Sequence, residues 1–138
     1  MASQDFTEDL LWAQLSEEDK SEIITKGCKV ISWGDESYPI SKSLIEDGRQ
    51  NLILRGKTGS LPIHCPVRLV HGMTDEEVPY STALKLSEVI ATNDVAVTLV
   101  KNGKHQLDNE EDFVTMRGAV EDIFNNVLEY DLTSPASG

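Results

Sequence analysis

Residues 65–107 read CPVRLVHGMTDEEVPYSTALKLSEVIATNDVAVTLVKNGKHQL, and this stretch decides the fold. Val67 to His71 is a short apolar run between Pro66 and Gly72, the pattern of a parallel strand buried on both faces. Ser81 to Ala91 follows with Ala83, Leu84, Leu86, Val89 and Ile90 at helical spacing, and Val95 to Val100 is a second apolar strand. The order strand, helix, strand predicts two parallel strands joined by a crossover. Each strand leads into a loop with a chemical group on it, Asp75 after the first and His105 after the second.

Ligands and catalytic groups gather at the carboxyl ends of strands in open α/β sheets, so these two loops converge on one place. An aspartate there can accept the Nδ1–H of a histidine, fix its tautomer and stabilise the imidazolium formed during proton transfer. Asp75 is therefore the candidate acid and His105 the candidate general base. Gly103, just before His105, would permit the sharp turn that aims the ring. The bland alternatives are an Asx-turn aspartate and an exposed loop histidine. Glu76 and Glu77 come later in the same turn and rank below Asp75, His71 reads as a strand-end structural residue, and His64 as linker surface.

The third member of a Ser–Asp–His triad is not legible. No G-x-S-x-G occurs in the 138 residues. Ser60 follows Gly59 but lacks a second glycine and a preceding strand, Ser81 and Ser87 fall on the helix after the acid, and Ser16 reads as a helix cap. Cys28 and Cys65 stand outside any nucleophile context and show no C-x-x-C or ligand spacing, which points to a reducing compartment. His64, His71 and His105 are not spaced as metal ligands, and no cofactor motif is present.

Working outward, Asp108-Asn109 caps a helix running to about Tyr130, with Phe113, Met116, Val120, Ile123, Phe124 and Val127 on one side. Residues 131–138 read as a polar tail. Upstream, residues 1–60 read as short helices with little strand character. Asp5–Trp12 opens one, and Ser16-Glu-Glu-Asp19 caps the next, which ends at Gly27. A loop is expected around Trp33-Gly34-Asp35 and Tyr38-Pro39, then a helical stripe from Ile40 to Arg55. Gly56, Gly59 and Pro62 punctuate a linker.

Composition narrows the function classes. A net charge of −12 excludes the basic surface that nucleic acid or anionic membrane would need. No apolar run approaches the ~20 residues of a membrane span. The N-terminus, MASQDFTEDLLW, has neither a basic nor an apolar leader region, so a cytoplasmic location is expected. Two parallel strands do not make a stable sheet alone, and the pattern reads as the closing edge of a larger one.

DFTEDLLW, SYPISKSLIEDGRQNLIL and CPVRLVHGMTDEEVP with DVAVTLVKNGKHQL together resemble the C-terminal half of bacterial α/β-hydrolases. These are related to abhydrolase domain-containing protein 10, a mitochondrial palmitoyl-protein thioesterase and acyl-glucuronide esterase. The likeness covers about residues 4–125. It implies the C-terminal portion of an α/β-hydrolase fold: a helical cap over residues 1–60, and at 61–130 the last two parallel strands with their helices.

It further implies a cofactor-free serine hydrolase acting on a small acyl ester or thioester, with Asp75 as charge-relay acid and His105 as base. A eukaryotic parent would place it in mitochondria. The family has an acid just before the histidine, where this chain has Lys104. The family's serine and earlier strands have no counterpart here, so the expected partner is an N-terminal hydrolase half or a second copy, as for a fragment, split gene product or isoform. The competing class is a non-catalytic interaction module.

Overall fold

The computed structural model describes residues 5–33 and 35–133, without the side chains of Trp33 and of 127–133. Gly34, the side chain of Val127 and the tail from 134 onward therefore lie outside the described residues. The chain divides into two units, Met1–Arg55 and Gly56–Gly138.

The first unit opens with a π-helical segment, Thr7–Trp12. Helix α1, Glu17–Lys26, is stopped at both ends by its sequence. The Ser16 hydroxyl accepts from the Asp19 amide, and Gly27 (φ 84°) takes the left-handed cap and donates to the Ile23 carbonyl.

Next comes an element that departs from the all-helical expectation. Cys28–Trp33 (β1) and Glu36–Ser41 (β2) form an antiparallel hairpin in which Ile31 faces Tyr38 and Lys29 faces Ile40. The signal was present: β-branched and aromatic residues on both sides of a two-residue Gly34-Asp35 connection. Pro39 disguised it, since proline reads as a break. On a two-stranded ribbon both strands are edges, where proline is tolerated. The hairpin gains support from α1, because Lys29 lies 2.7 Å from Asp19 and 2.8 Å from Glu22. Hydrogen bonds to these two carboxylates hold the ammonium well above the usual lysine value.

Helix α2, Lys42–Gln50, is shorter than the expected run from Ile40 to Arg55. Ile40 belongs to β2, and Ser41 caps the helix by accepting from the Leu44 amide at 3.1 Å. Beyond Asn51 the chain is diverted by Asp5. Its buried carboxylate accepts from the amides of Ile53 (2.9 Å) and Leu54 (3.2 Å) and from the Arg55 guanidinium (3.1 Å). Amides committed to that carboxylate are not available to a continuing helix. Leu11, Ile23, Ile40 and Ile45 form the buried apolar cluster of this unit.

The second unit holds the expected strand–helix–strand–helix order. Val67–Gly72 (β3) and Val95–Val100 (β4) pair in parallel, with Val67 opposite Val95 and Gly72 opposite Val100. Between them lies α3, Ser81–Val89. The stretch expected as a linker is tied in: Leu61 bridges Ile90 in parallel, and its amide donates to the Val89 carbonyl at 2.7 Å. Helix α4, Glu110–Thr133, starts at a reciprocal cap in which the Asp112 amide donates to Asn109 Oδ1 at 2.9 Å. Arg68 joins β3 to its neighbours through ion pairs with Asp94 and Asp122.

Candidate functional site

The parallel register brings the carboxyl ends of β3 and β4 level, so the two loops leave the sheet side by side. A close backbone approach locks them together. A Cβ on Gly72 would sit 2.2 Å from the Gly103 carbonyl oxygen, and one on Gly103 would sit 2.9 Å from the Gly72 Cα. Both positions therefore require glycine. The role of Gly103 differs from the one expected, because its φ is not in the left-handed region and it serves close packing. Thr74 completes the latch: its amide and its hydroxyl both donate to the Gly103 carbonyl, at 3.0 and 2.8 Å.

On this platform the His105 Nδ1 lies 3.0 Å from Asp75 Oδ2 and 3.2 Å from Oδ1, as their positions on consecutive strands led us to expect. The aspartate side chain is buried (6% exposed) while the histidine is open (40%). Asp75 Oδ1 also accepts from the amides of Glu77 and Val78, each at 2.9 Å. The Asx turn, the bland alternative, thus exists, and it coexists with the histidine contact.

Burial is the largest single influence on Asp75 and pushes its carboxyl up. The hydrogen bonds from the Val78 amide, His105 and the Glu77 amide together outweigh it and hold the group below the usual carboxylate value. The Asp75 carboxyl is therefore held in its ionised form and oriented by backbone donors.

With Nδ1–H donated to Asp75, the other ring nitrogen, Nε2, is left to exchange a proton. Glu77 Oε2 lies 3.5 Å from it, beyond good hydrogen-bond length. Among the described residues, no serine or cysteine hydrogen-bonds to this ring. Cys28 and Cys65 are exposed free thiols, and no group of histidine, cysteine or carboxylate side chains could hold a metal ion among the described residues. No described helix is long and apolar enough to cross a membrane.

Three features of the site were not read from the sequence. The Gly72–Gly103 contact has a signal, namely a glycine at the exit of each of two consecutive parallel strands. The Thr74 latch has none. Leu107, two residues past His105, holds a left-handed backbone (φ 46°), uncommon for a bulky residue, with its side chain packed on Gly103. A chain reading cannot find that, because leucine carries no mark of positive φ.

No protein-family model matches the chain. It is 31% identical over 117 residues to the mitochondrial palmitoyl-protein thioesterase ABHD10 of Bos taurus, a match covering 83% of this chain and 37% of the relative. The Homo sapiens protein of the same name is 27% identical over the same shares. Among solved structures, a protein from Agrobacterium vitis S4 named as a hydrolase superposes with a TM-score of 0.74 at 35% identity, covering 86% of this chain and 45% of that one. Mouse α/β hydrolase domain-containing protein 10 superposes at 0.73 with 26% identity, over 92% of this chain and 50% of that one. The chain thus spans about a third of the curated relatives and at most half of the solved ones. On sequence and on fold, the chain is homologous to ABHD10 and has the C-terminal portion of an α/β-hydrolase fold.

Proposed function

We propose that the chain supplies the acid and the general base of a serine hydrolase acting on acyl esters or thioesters. Asp75 is the acid and His105 the base, and the nucleophilic serine comes from sequence other than these 138 residues. The observation that carries this is the 3.0 Å contact from Nδ1 of the half-open His105 ring to a buried, ionised Asp75, with no hydrogen bond at Nε2 among the described residues. In turnover Nε2 takes the serine hydroxyl proton as the serine oxygen bonds to the acyl carbon. Asp75 stabilises the imidazolium, which then protonates the departing thiol or alcohol; water repeats the cycle to release the acid. No cofactor enters. Residues 1–60 are the helical cap of this reading.

A chimera tests it. This chain is placed in ABHD10 in exchange for the segment it matches, and palmitoyl-thioester hydrolysis is measured. Asp75→Asn is expected to lower kcat about 10^4-fold, with His105→Ala at least as damaging. An active chimera indifferent to both substitutions would remove the proposed roles.

A second reading, a non-catalytic interaction module, is favoured by one observation. Phe113 (57%), Val120 (52%) and Phe124 (64%) are exposed along one face of α4. In that case substitutions on α4, and not at Asp75 or His105, would govern the chain's behaviour.

A further inference from the structure

The loop between β3 and α3 must hold Asp75 to within a fraction of an ångström, yet its known anchors act near its start. Thr74 and Gly72 fasten the beginning of the loop to Gly103. The far end, at Val78, needs a tie of its own, and His71 provides one. From the last turn of a paired strand, opposite Leu99, its largely buried ring directs Nε2 to the Val78 carbonyl at 3.0 Å. The same nitrogen lies 3.4 Å from Asp75 Oδ2. Val78 in turn donates its amide to Asp75 Oδ1 at 2.9 Å. Strand, loop end and carboxylate therefore close into one ring of contacts.

We infer that His71 is a positioning residue for the Asp75–His105 pair: as the Nε2–H tautomer it fixes the loop at Val78 and thereby aims the Asp75 carboxylate at His105. This rests on reading Asp75 as the acid partner of His105. A carbonyl accepts and cannot donate, so the bond to Val78 demands a proton on the His71 Nε2. That proton is spent on Val78, so the hold on the carboxylate runs through the Val78 amide, which meets Oδ1 while Oδ2 meets His105. Remove the donor and the carboxylate keeps its local turn but loses its hold from the strand.

Ring nitrogen-15 shifts of the full chain, recorded well above the usual histidine pKa near ~6.5, report both tautomers directly. In the unsubstituted chain His71 is expected as Nε2–H and His105 as Nδ1–H. In His71→Phe, similar in size but without a donor, the ratio of Nδ1–H to Nε2–H at His105 should fall about tenfold, the scale of one hydrogen bond to a charged group. His71→Gln, whose amide nitrogen can reach the same carbonyl, should restore it.

A His105 without a dominant Nδ1–H form in the unsubstituted chain would overturn the dyad and the brace with it. An intact dyad beside an Nδ1–H His71, or a His105 ratio unchanged in His71→Phe, would overturn the brace alone. The His71 tautomer is read without any substitution, so a variant that fails to fold does not shield the inference.

Discussion

Asp75 meets two demands that oppose each other: burial resists its charge, and the amides of Val78 and Glu77 with His105 insist on it. The balance lies with the charged form, and this sets a sign for acid sensitivity. A carboxyl depressed in the folded state lends stability that is complete above its unfolded value, about 4, and is lost as pH falls through the folded one. Acidification from about pH 6 to about pH 3 should therefore cost the unsubstituted chain more stability than it costs Asp75→Asn, with urea midpoints as the measure. Equal losses would mean that the hydrogen bonds seen at Asp75 do not favour its ionised form. The glycine pair makes a separate demand. Gly103→Ala places a methyl against Leu107, Val100 and the Gly72 backbone, within 2.7–2.9 Å. A destabilisation of about 1–3 kcal/mol is expected, with displacement of the His105 loop visible as a changed ring environment.

Among the elements, the decisive difference between chain and structure lies in the first unit. Asp5→Ala would leave the part-buried amide of Ile53 and the buried amide of Leu54 without this acceptor and should destabilise that unit by about 2–4 kcal/mol, read from denaturant midpoints. Nothing in the local sequence pairs residue 5 with residues 53–55, so the end of α2 could not be read from its own apolar stripe. The β1–β2 hairpin was legible in principle and was hidden by Pro39.

In the second unit β4 matches its sequence reading residue for residue, and β3 extends one residue further, to Gly72. Their apolar runs are bounded by Pro66, Gly72 and the Asn102-Gly103 turn. The site shared that clarity where it depended on strand ends, as with Asp75 and His105. It was opaque where it depended on contacts across the loops, as with Thr74, His71 and Leu107.

For the whole molecule, the relevant quantity is uncovered apolar surface. Phe113, Val114, Val120 and Phe124 on α4 and Val30 on β1 are more than half exposed, and β3 pairs with β4 alone among the described residues. Apolar burial stabilises by about 25 cal/mol per Å2, so a chain with this much left open gains by covering it. Sedimentation at micromolar concentration should show self-association, and Phe113→Ser with Phe124→Ser should shift it toward monomer. A sharply melting monomer would instead mark an autonomous domain.

Activity follows from the proposed roles: on that reading Asp75 and His105 supply acid and base, and the 138 residues hold no G-x-S-x-G. A dyad without a nucleophile and an oxyanion hole lacks the groups that supply most triad catalysis. Fluorophosphonate labelling of the chain, with short-chain thioester hydrolysis followed in the same sample, is the most direct test. The expected result is no labelled serine and no turnover above background. Labelling of any serine, with turnover abolished by His105→Ala, would contradict it.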